Sequence, residues 1–265
     1  MKRIKFYKYH GTGNDFIMID NRDSQAVNMT ADFIQAQCHR RFGIGADGLI
    51  LLEKSPNTDF RMNYFNADGA EASMCGNGGR CIAAFAQFLG IASHDCTFEA
   101  VDGIHQAKIL SGDNQTVRVS LKMGDVSGIE HTNKDYILDT GSPHFVSFYD
   151  NIETLDVVQE GKKIRYNNRF NEKGINVNFV SRKNDGFNIR TYERGVENET
   201  FSCGTGTVAA AIAVELEGLA NGDHHVEFQT LGGKLEVSFE RQSNNFANIW
   251  LTGDTVRVFE GIMEL

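Results

Sequence analysis

The sequence predicts an α+β fold of two pseudo-symmetric tandem domains, each a mostly antiparallel sheet or barrel wrapped around a central helix. Three observations predict it. First, an ordered series of residues recurs 128 or 129 positions on: Asp15-Phe16 as His144-Phe145, Arg41-Phe42 as Arg169-Phe170, Asp47 as Asn176, Tyr64 as Tyr192, Asn66 as Arg194 and Glu71 as Glu199. Cys75-Gly76-x-Gly78 returns as Cys203-Gly204-x-Gly206, Gly90 as Gly218, and Gly124-Asp125 as Gly253-Asp254. One coincidence of Gly or Phe is cheap, whereas a whole series in register is the mark of a duplication. Second, each half is rich in short stretches of alternating polarity. Third, each half has one run of small apolar residues, too apolar all round for a surface helix, which the strands must therefore cover. The halves are 1–130, carrying Cys75, and 131–265, carrying Cys203, with the active site expected in the cleft between them.

In chain order, residues 4–20 read as two strands about a glycine turn, with Asn14 and Asp15 opening the second. Thr30 is placed to cap a short amphipathic helix, TADFIQAQCHRRF. A glycine loop, Gly43 to Gly48, feeds an apolar strand over Leu49 to Leu52, and Phe60 to Phe65 forms the next strand, ending at Asn66. Cys81 to Leu89, closed by Gly90, is the central helix. FEAVDGIHQAKIL and TVRVSLKMGD, separated by Ser111-Gly112-Asp113-Asn114, read as hairpins. TVAAAIAVELEG is the second central helix.

The chain has 265 residues, a net charge of −9 and a pI near 5.4. Its Lys and Arg are scattered, which argues against a nucleic-acid or anionic-membrane surface and for a small-molecule partner. No stretch approaches the roughly 18 apolar residues of a membrane span, and MKRIKFYKYHGTG has no apolar signal core, so a cytoplasmic protein is expected. Five cysteines, an odd number, do not form a disulfide framework in a reducing compartment. No metal-ligand spacing such as C-x-x-C or H-E-x-x-H occurs, so no metal is expected.

A cysteine at a helix start meets the positive end of the macrodipole, which favours thiolate over thiol. A single such residue is by default a packing residue, and the second copy changes that reading. Two equivalent acid/base groups facing one cleft suit inversion at a carbon that carries an acidic hydrogen: one thiolate removes the proton and the other thiol donates from the opposite face. The helix starts at Gly76-Asn77 and Gly204-Thr205 offer backbone N–H groups to a carboxylate and to the charge that spreads onto it, so no cofactor is required.

Other readings of the same residues fail on detail. Gly11-Thr12-Gly13 is followed by Phe16 where a dinucleotide fingerprint needs Gly, and Gly232-Gly233-Lys234 is followed by Leu235 rather than Ser or Thr. A cysteine protease gives no reason for a duplicated Cys. His144 alone reads as structural, and Glu193-Arg194 as a surface pair. The place of that pair in the repeat, shortly before Cys203, moves it toward the cleft, where Arg can grip a carboxylate and Glu an ammonium. Cys38, Cys81 and Cys96 read as packing residues.

The segments HGTGNDF (10–16), GIGADG (43–48), FNADGAEASMCGNGGRC (65–81), PHFV (143–146), NVNF (176–179) and YERGVENETFSCGTGT (192–207) span nearly the whole chain, and in them it closely resembles the diaminopimelate epimerase family. The resemblance implies cofactor-independent interconversion of LL- and meso-diaminopimelate, in lysine and peptidoglycan precursor synthesis, with Cys75 and Cys203 as the acid/base residues. It implies that Gly76, Asn77, Gly204 and Thr205 bind the α-carboxylate. Asn14, Asn66, Asn176, Glu193 and Arg194 would bind the amino groups and distal carboxylate, and His144 and Glu193 would support the cysteines. It also implies a homodimer. Two positions depart from many relatives: Ser142 stands where they carry Asn, a shorter hydroxyl in place of an amide, and Gly48 where some carry Gln. Two alternatives stay open, a proline- or hydroxyproline-type racemase and a non-catalytic amino-acid-binding protein of the same fold.

Overall fold

In the computed structural model, residues 3–264 are described apart from 25, 27, 28, 134, 184, 185, 221 and 223. The chain separates into two compact units, Met1–Leu121 with Gly253–Leu265, and Lys122–Thr252. A compact unit is thus not the same stretch as a sequence repeat: the C-terminal residues complete the first unit.

In the first unit the strands are β1 (Arg3–Gly11), β2 (Asn14–Asp20), β3 (Gly48–Glu53), β4 (Phe60–Asn66), β5 (Asp95–Ala100), β6 (Gly103–Gly112) and β7 (Thr116–Lys122), with helix α1 (Ala31–Cys38) between β2 and β3 and helix α2 (Gly76–Phe88) between β4 and β5. The C-terminal part of β16 (Asn245–Glu264) pairs with both β7 and β1, which closes an eight-stranded barrel in the order β1-β2-β3-β4-β5-β6-β7-β16. Neighbours are antiparallel except β2–β3 and β4–β5. Those are the two pairs joined through a helix, as a parallel pair requires a crossover.

The second unit repeats the order: β8 (Glu130–Thr132), β9 (Asp135–Asp139), β10 (Pro143–Phe148), α3 (Val157–Arg165), β11 (Asn176–Lys183), β12 (Gly186–Glu193), β13 (Asn198–Thr200), α4 (Gly204–Leu216), β14 (His225–Thr230), β15 (Gly233–Gln242) and the first part of β16. Its parallel pairs, β10–β11 and β12–β14, again flank helices. Here residues 123–132 take the place of a continuous closing strand: Met123 donates to Ile249 at 2.9 Å, Val126 bridges Phe246, and β8 pairs β9.

Each central helix packs inside its own ring of strands, α2 against β1, β2, β3 and β6, and α4 against β9, β10, β11, β12, β14 and β15. The small side chains Ala83, Ala84 and Ala86 in α2, and Ala209, Ala210, Ala211 and Ala213 in α4, are buried all round. Helices α1 and α3 cover the outer face, where Ile17, Ile19, Leu49 and Leu51 pack with Ile34, and Val177, Phe179 and Tyr192 with Val157. Strands covered on both faces read as unbroken apolar runs, and this explains Gly48 to Leu52. The predicted Thr30 cap forms, accepting from Phe33 N–H at 3.2 Å. Helix α3 is an element that sequence reasoning missed. Among the described residues no helix is long and apolar enough to cross a membrane.

Candidate active site

Both central helices begin immediately after a cysteine, Cys75 for α2 and Cys203 for α4, and both run for 13 residues. In the first unit Cys75 is the N-cap: its Sγ accepts from the Gly78 N–H at 3.2 Å. A Cβ at Gly78 would lie 3.1 Å from that sulfur and equally close to Ile50 and Met62, so glycine here lets the helix start tuck against β3 and β4. In the second unit Cys203 Sγ lies 3.5 Å from Thr205 Oγ1, and Cys203 O accepts from the Thr207 N–H and hydroxyl. Cys75 is half-buried and Cys203 buried. Amides at a helix start have no acceptor within the helix, so Gly76-Asn77 and Gly204-Thr205 sit where an anion is bound most readily.

Around Cys75, the β1–β2 turn brings in Asn14, through Thr12 and Gly13, both at positive φ as a two-residue hairpin of this kind requires. Asn14 Oδ1 lies 4.0 Å from Cys75 Sγ and accepts from Asn77 Nδ2 at 3.3 Å, while Asn14 Nδ2 donates to Asp47 at 2.7 Å. The Gly43–Gly48 loop that carries Asp47 is held by Lys8, which donates to Gly45 O and pairs with Asp15 at 2.6 Å, and by Arg40, which bridges Asp15 and Asp47. Burial pushes the Asp15 carboxyl up, but hydrogen bonds from Arg40 and Lys8 outweigh it and hold it down at about 2. Asn66 ends β4 opposite Gly48 and is exposed; its backbone closes a turn with Gly69 and Ala70.

Beneath this group Arg80 is wholly buried, donating to Gly76 O at 3.1 Å, Asn77 Oδ1 at 2.7 Å and Thr12 Oγ1 at 3.3 Å. Burial lowers its pKa to about 10, so it stays charged at neutral pH.

In the second unit the hydroxyl of Ser142 is a junction, 3.0 Å from His144 Nε2, 3.4 Å from Thr205 Oγ1, and accepting from Asn176 Nδ2 at 3.2 Å. The Asn176 Oδ1 accepts from the Arg194 N–H at 2.8 Å, and the Arg194 guanidinium donates to Lys173 O at 3.1 Å. Thr140 ties the helix start to β9 through Thr205 O at 2.9 Å. His144 is fully buried, with Nδ1 accepting from Asn178 Nδ2 at 3.1 Å, and burial, aided by the Arg194 charge, pushes its pKa down to about 3. It is therefore a neutral imidazole carrying its proton on Nε2, toward Ser142. Glu193 ends β12, half-buried, with its carbonyl accepting from Glu197 N–H at 2.8 Å.

The predicted residues thus fall into two groups, Asn14, Cys75, Gly76 and Asn77 around α2, and His144, Asn176, Arg194, Cys203, Gly204 and Thr205 around α4, while Asn66 and Glu193 stand at the ends of β4 and β12. Asp47, Arg80, Thr12, Thr140, Ser142 and Asn178 complete them. The signal that could have found Arg80 and Asn178 is polarity inside otherwise apolar or alternating runs, since a buried polar side chain must find partners. Cys38, Cys81 and Cys96 are buried, and burial raises their thiol pKa values, to about 11 for Cys38 and about 12 for Cys96.

The chain is similar to known proteins over nearly its whole length. The family model described as diaminopimelate epimerase matches residues 6–129 and 136–258, one match in each half. A diaminopimelate epimerase of Flavobacterium psychrophilum is 50% identical over 258 residues, covering 97% of this chain and 99% of its own. Relatives of the same name in Hydrogenobaculum sp. and Archaeoglobus fulgidus are 42% and 39% identical, each with 97% of its own length covered, over 97% and 99% of this chain. Among solved structures, a phenazine biosynthesis protein of the PhzF family from Bacillus anthracis superposes with a TM-score of 0.75 at 15% identity, covering 100% of both chains. A hydroxyproline epimerase from Agrobacterium vitis does so at 0.70 and 13%, covering 100% of this chain and 93% of its own. At those identities they share the fold. The chain belongs to the diaminopimelate epimerase family, and it is an isomerase.

Proposed function

We propose that the protein interconverts LL- and meso-2,6-diaminopimelate by a two-cysteine acid/base mechanism. One observation carries the reading: Cys75 and Cys203 stand directly before the first residues of equivalent helices, Gly76 and Gly204, inside two units that repeat the same order of elements. One sulfur, as thiolate, takes the α-proton; the other, as thiol, gives a proton to the opposite face; the reverse reaction exchanges the roles. Amides of Gly76-Asn77 and Gly204-Thr205 bind the α-carboxylate and hold the charge of the carbanion, so no pyridoxal sink is called on. Asn14 and Glu193 take ammonium groups, and Asn66, Asn176 and Arg194 the distal end, Arg194 by its two-pronged grip on a carboxylate. His144, neutral and joined to Thr205 through Ser142, supports the Cys203 side. Family membership supports a homodimer and a place in lysine and peptidoglycan precursor synthesis in the cytoplasm.

Incubation with LL-diaminopimelate, L-proline and trans-4-hydroxy-L-proline, followed by chiral chromatography, tests the assignment. Formation of the meso isomer alone is the expected result, and inversion of either imino acid with diaminopimelate untouched would replace the reading by the racemase one.

A further inference from the structure

One hydrogen-bond chain runs through the first unit from surface to interior. Arg40 Nη2 donates to Asp47 Oδ1 at 2.5 Å, Asn14 Nδ2 to Asp47 Oδ2 at 2.7 Å, Asn77 Nδ2 to Asn14 Oδ1 at 3.3 Å, and Arg80 Nη2 to Asn77 Oδ1 at 2.7 Å. A side-chain amide can present either its oxygen or its nitrogen to a given neighbour, and isolated amides exchange the two readily. Here the two ends of the chain remove the choice. An ionised carboxylate only accepts, and a guanidinium only donates. Turning Asn14 would set its oxygen against Asp47, and turning Asn77 would set its NH₂ against Arg80 and against Thr12, whose hydroxyl donates to the same oxygen at 3.2 Å.

We propose that Asp47 and Arg80 are positioning residues which lock the amides of Asn14 and Asn77 in one orientation, so that Asn14 presents an acceptor oxygen beside Cys75. The oxygen so placed, 4.0 Å from Sγ, receives a thiol hydrogen or a substrate ammonium and repels a carboxylate, which gives the surroundings of Cys75 their polarity. Arg40 and the Asp15 N–H, 3.3 Å from Asp47 Oδ2, hold the Asp47 side chain in place. Neither Asp47 nor Arg80 needs to touch the ligand. The second unit builds its group differently, on Ser142 and His144, and has Val208 where Arg80 stands in α2, so the lock belongs to Cys75 alone.

The inference rests on the epimerase reading for its activity arm, and a thiol-reactivity arm stands apart from it. Asp47→Asn keeps the shape at a half-exposed position but removes the acceptor-only group at that end, leaving the 3.3 Å bond from Asn77 alone to orient the Asn14 amide. In the otherwise unchanged chain it lowers kcat/KM for LL-diaminopimelate about tenfold, mostly through KM, and in an Asn14→Ala background by less than about twofold, because no amide remains to be oriented. Equal falls in both backgrounds overturn the proposal. Arg80→Lys, which still donates to Asn77, retains more activity than Arg80→Met; equal losses in two variants of matching thermal stability also overturn it. The second arm is the pH midpoint of Cys75 alkylation by iodoacetamide, read by mass spectrometry. Asp47→Asn lowers it by about half a pH unit more in the parent chain than in Asn14→Ala, since a turned amide donates to the thiolate, and leaves Cys203 unmoved. If the parent chain does not epimerise diaminopimelate, the proposed function fails and this arm alone decides: equal shifts in both backgrounds reject the lock.

Discussion

The Asn178 amide donates to His144 Nδ1 at 3.1 Å, and that bond leaves the imidazole's single proton on Nε2, facing Ser142. Asn178 is itself held by Thr191, whose hydroxyl donates to its Oδ1 at 2.9 Å. The site around α4 is therefore built on a neutral histidine. Burial holds the folded pKa at about 3, against an unfolded value near 6.5, so the unfolded chain binds the extra proton first. The stability contributed by His144 is complete above about pH 6.5 and is lost as pH falls toward 3. Between pH 7 and pH 4 the wild-type chain should lose about 3 kcal/mol more than His144→Gln in urea unfolding, by the linkage of pKa to stability. Equal losses would mean that the imidazole protonates inside the folded protein.

The ion network under Asn14 has the opposite sign of chemistry and the same direction with pH. Asp15 is held at about 2 because its bonds to Arg40 and Lys8 outweigh its burial, so its contribution is present above the unfolded carboxylate value and fades as pH falls through 2. Lys8 is the buried member. Lys8→Met should cost about 3 kcal/mol, since it leaves the exposed Arg40 as the one cation on Asp15, beside the Asp47 N–H, and removes the donor to Gly45 O. A urea titration at pH 7 measures it, and a cost below about 1 kcal/mol would show that Arg40 suffices.

Helix α3 offers a test in which two effects compete. Replacing a mid-helix glycine by alanine normally stabilises by about 1 kcal/mol. At Gly161 an added Cβ would meet Tyr192 Cβ at 2.4 Å, on a strand that cannot yield. Gly161→Ala should therefore destabilise the chain, by about 2 kcal/mol on the scale of overpacked cores, and a raised melting temperature would contradict the close seating of α3 on β12.

The thiols should divide by reactivity. Cys81 is wholly enclosed beside Arg80, Cys38 and Cys96 are almost as deeply buried, and all three have pKa values raised by burial. Iodoacetamide at pH 8 should label Cys75 at least about tenfold faster than any of these in the folded chain, on the general dependence of thiol reactivity on thiolate fraction and access. Labelling of Cys81 at the rate of Cys75 would contradict the enclosure of α2.

How much of this could be read from the sequence differs by residue, for physical reasons. Cys75 and Cys203 were legible because a motif occurs twice in register, and a helix start is signalled locally by glycines before a small apolar run. The barrel was legible as strands wrapped on a helix, but its closure was not: β16 is one strand that serves both units, and no local pattern says that residues 253–264 return to β1. Helix α3 was missed because VVQEGKKIR has few apolar residues and a central glycine; tertiary packing on Tyr192 makes it a helix. Only its place opposite α1 in the repeat could have announced it. Ser142 read as a shortened side chain, yet its hydroxyl joins Asn176, His144 and Thr205, a role set by convergence of three separated segments. Arg80 sat in plain view within CGNGGRC, and the small apolar run after it was the one local sign that this arginine is a buried anchor.

The central claim is that two sulfurs, one from each unit, act on a single α-carbon. Its most direct test is solvent deuterium incorporation at that carbon, followed by NMR and mass spectrometry with LL- and meso-diaminopimelate in D₂O, for the parent chain and for Cys75→Ala, Cys203→Ala and the double variant. The account predicts exchange with inversion in the parent chain, with no pyridoxal phosphate added, and a loss of at least about a thousandfold in each single variant, in keeping with removal of an essential acid or base. Undiminished exchange in the double variant would contradict it.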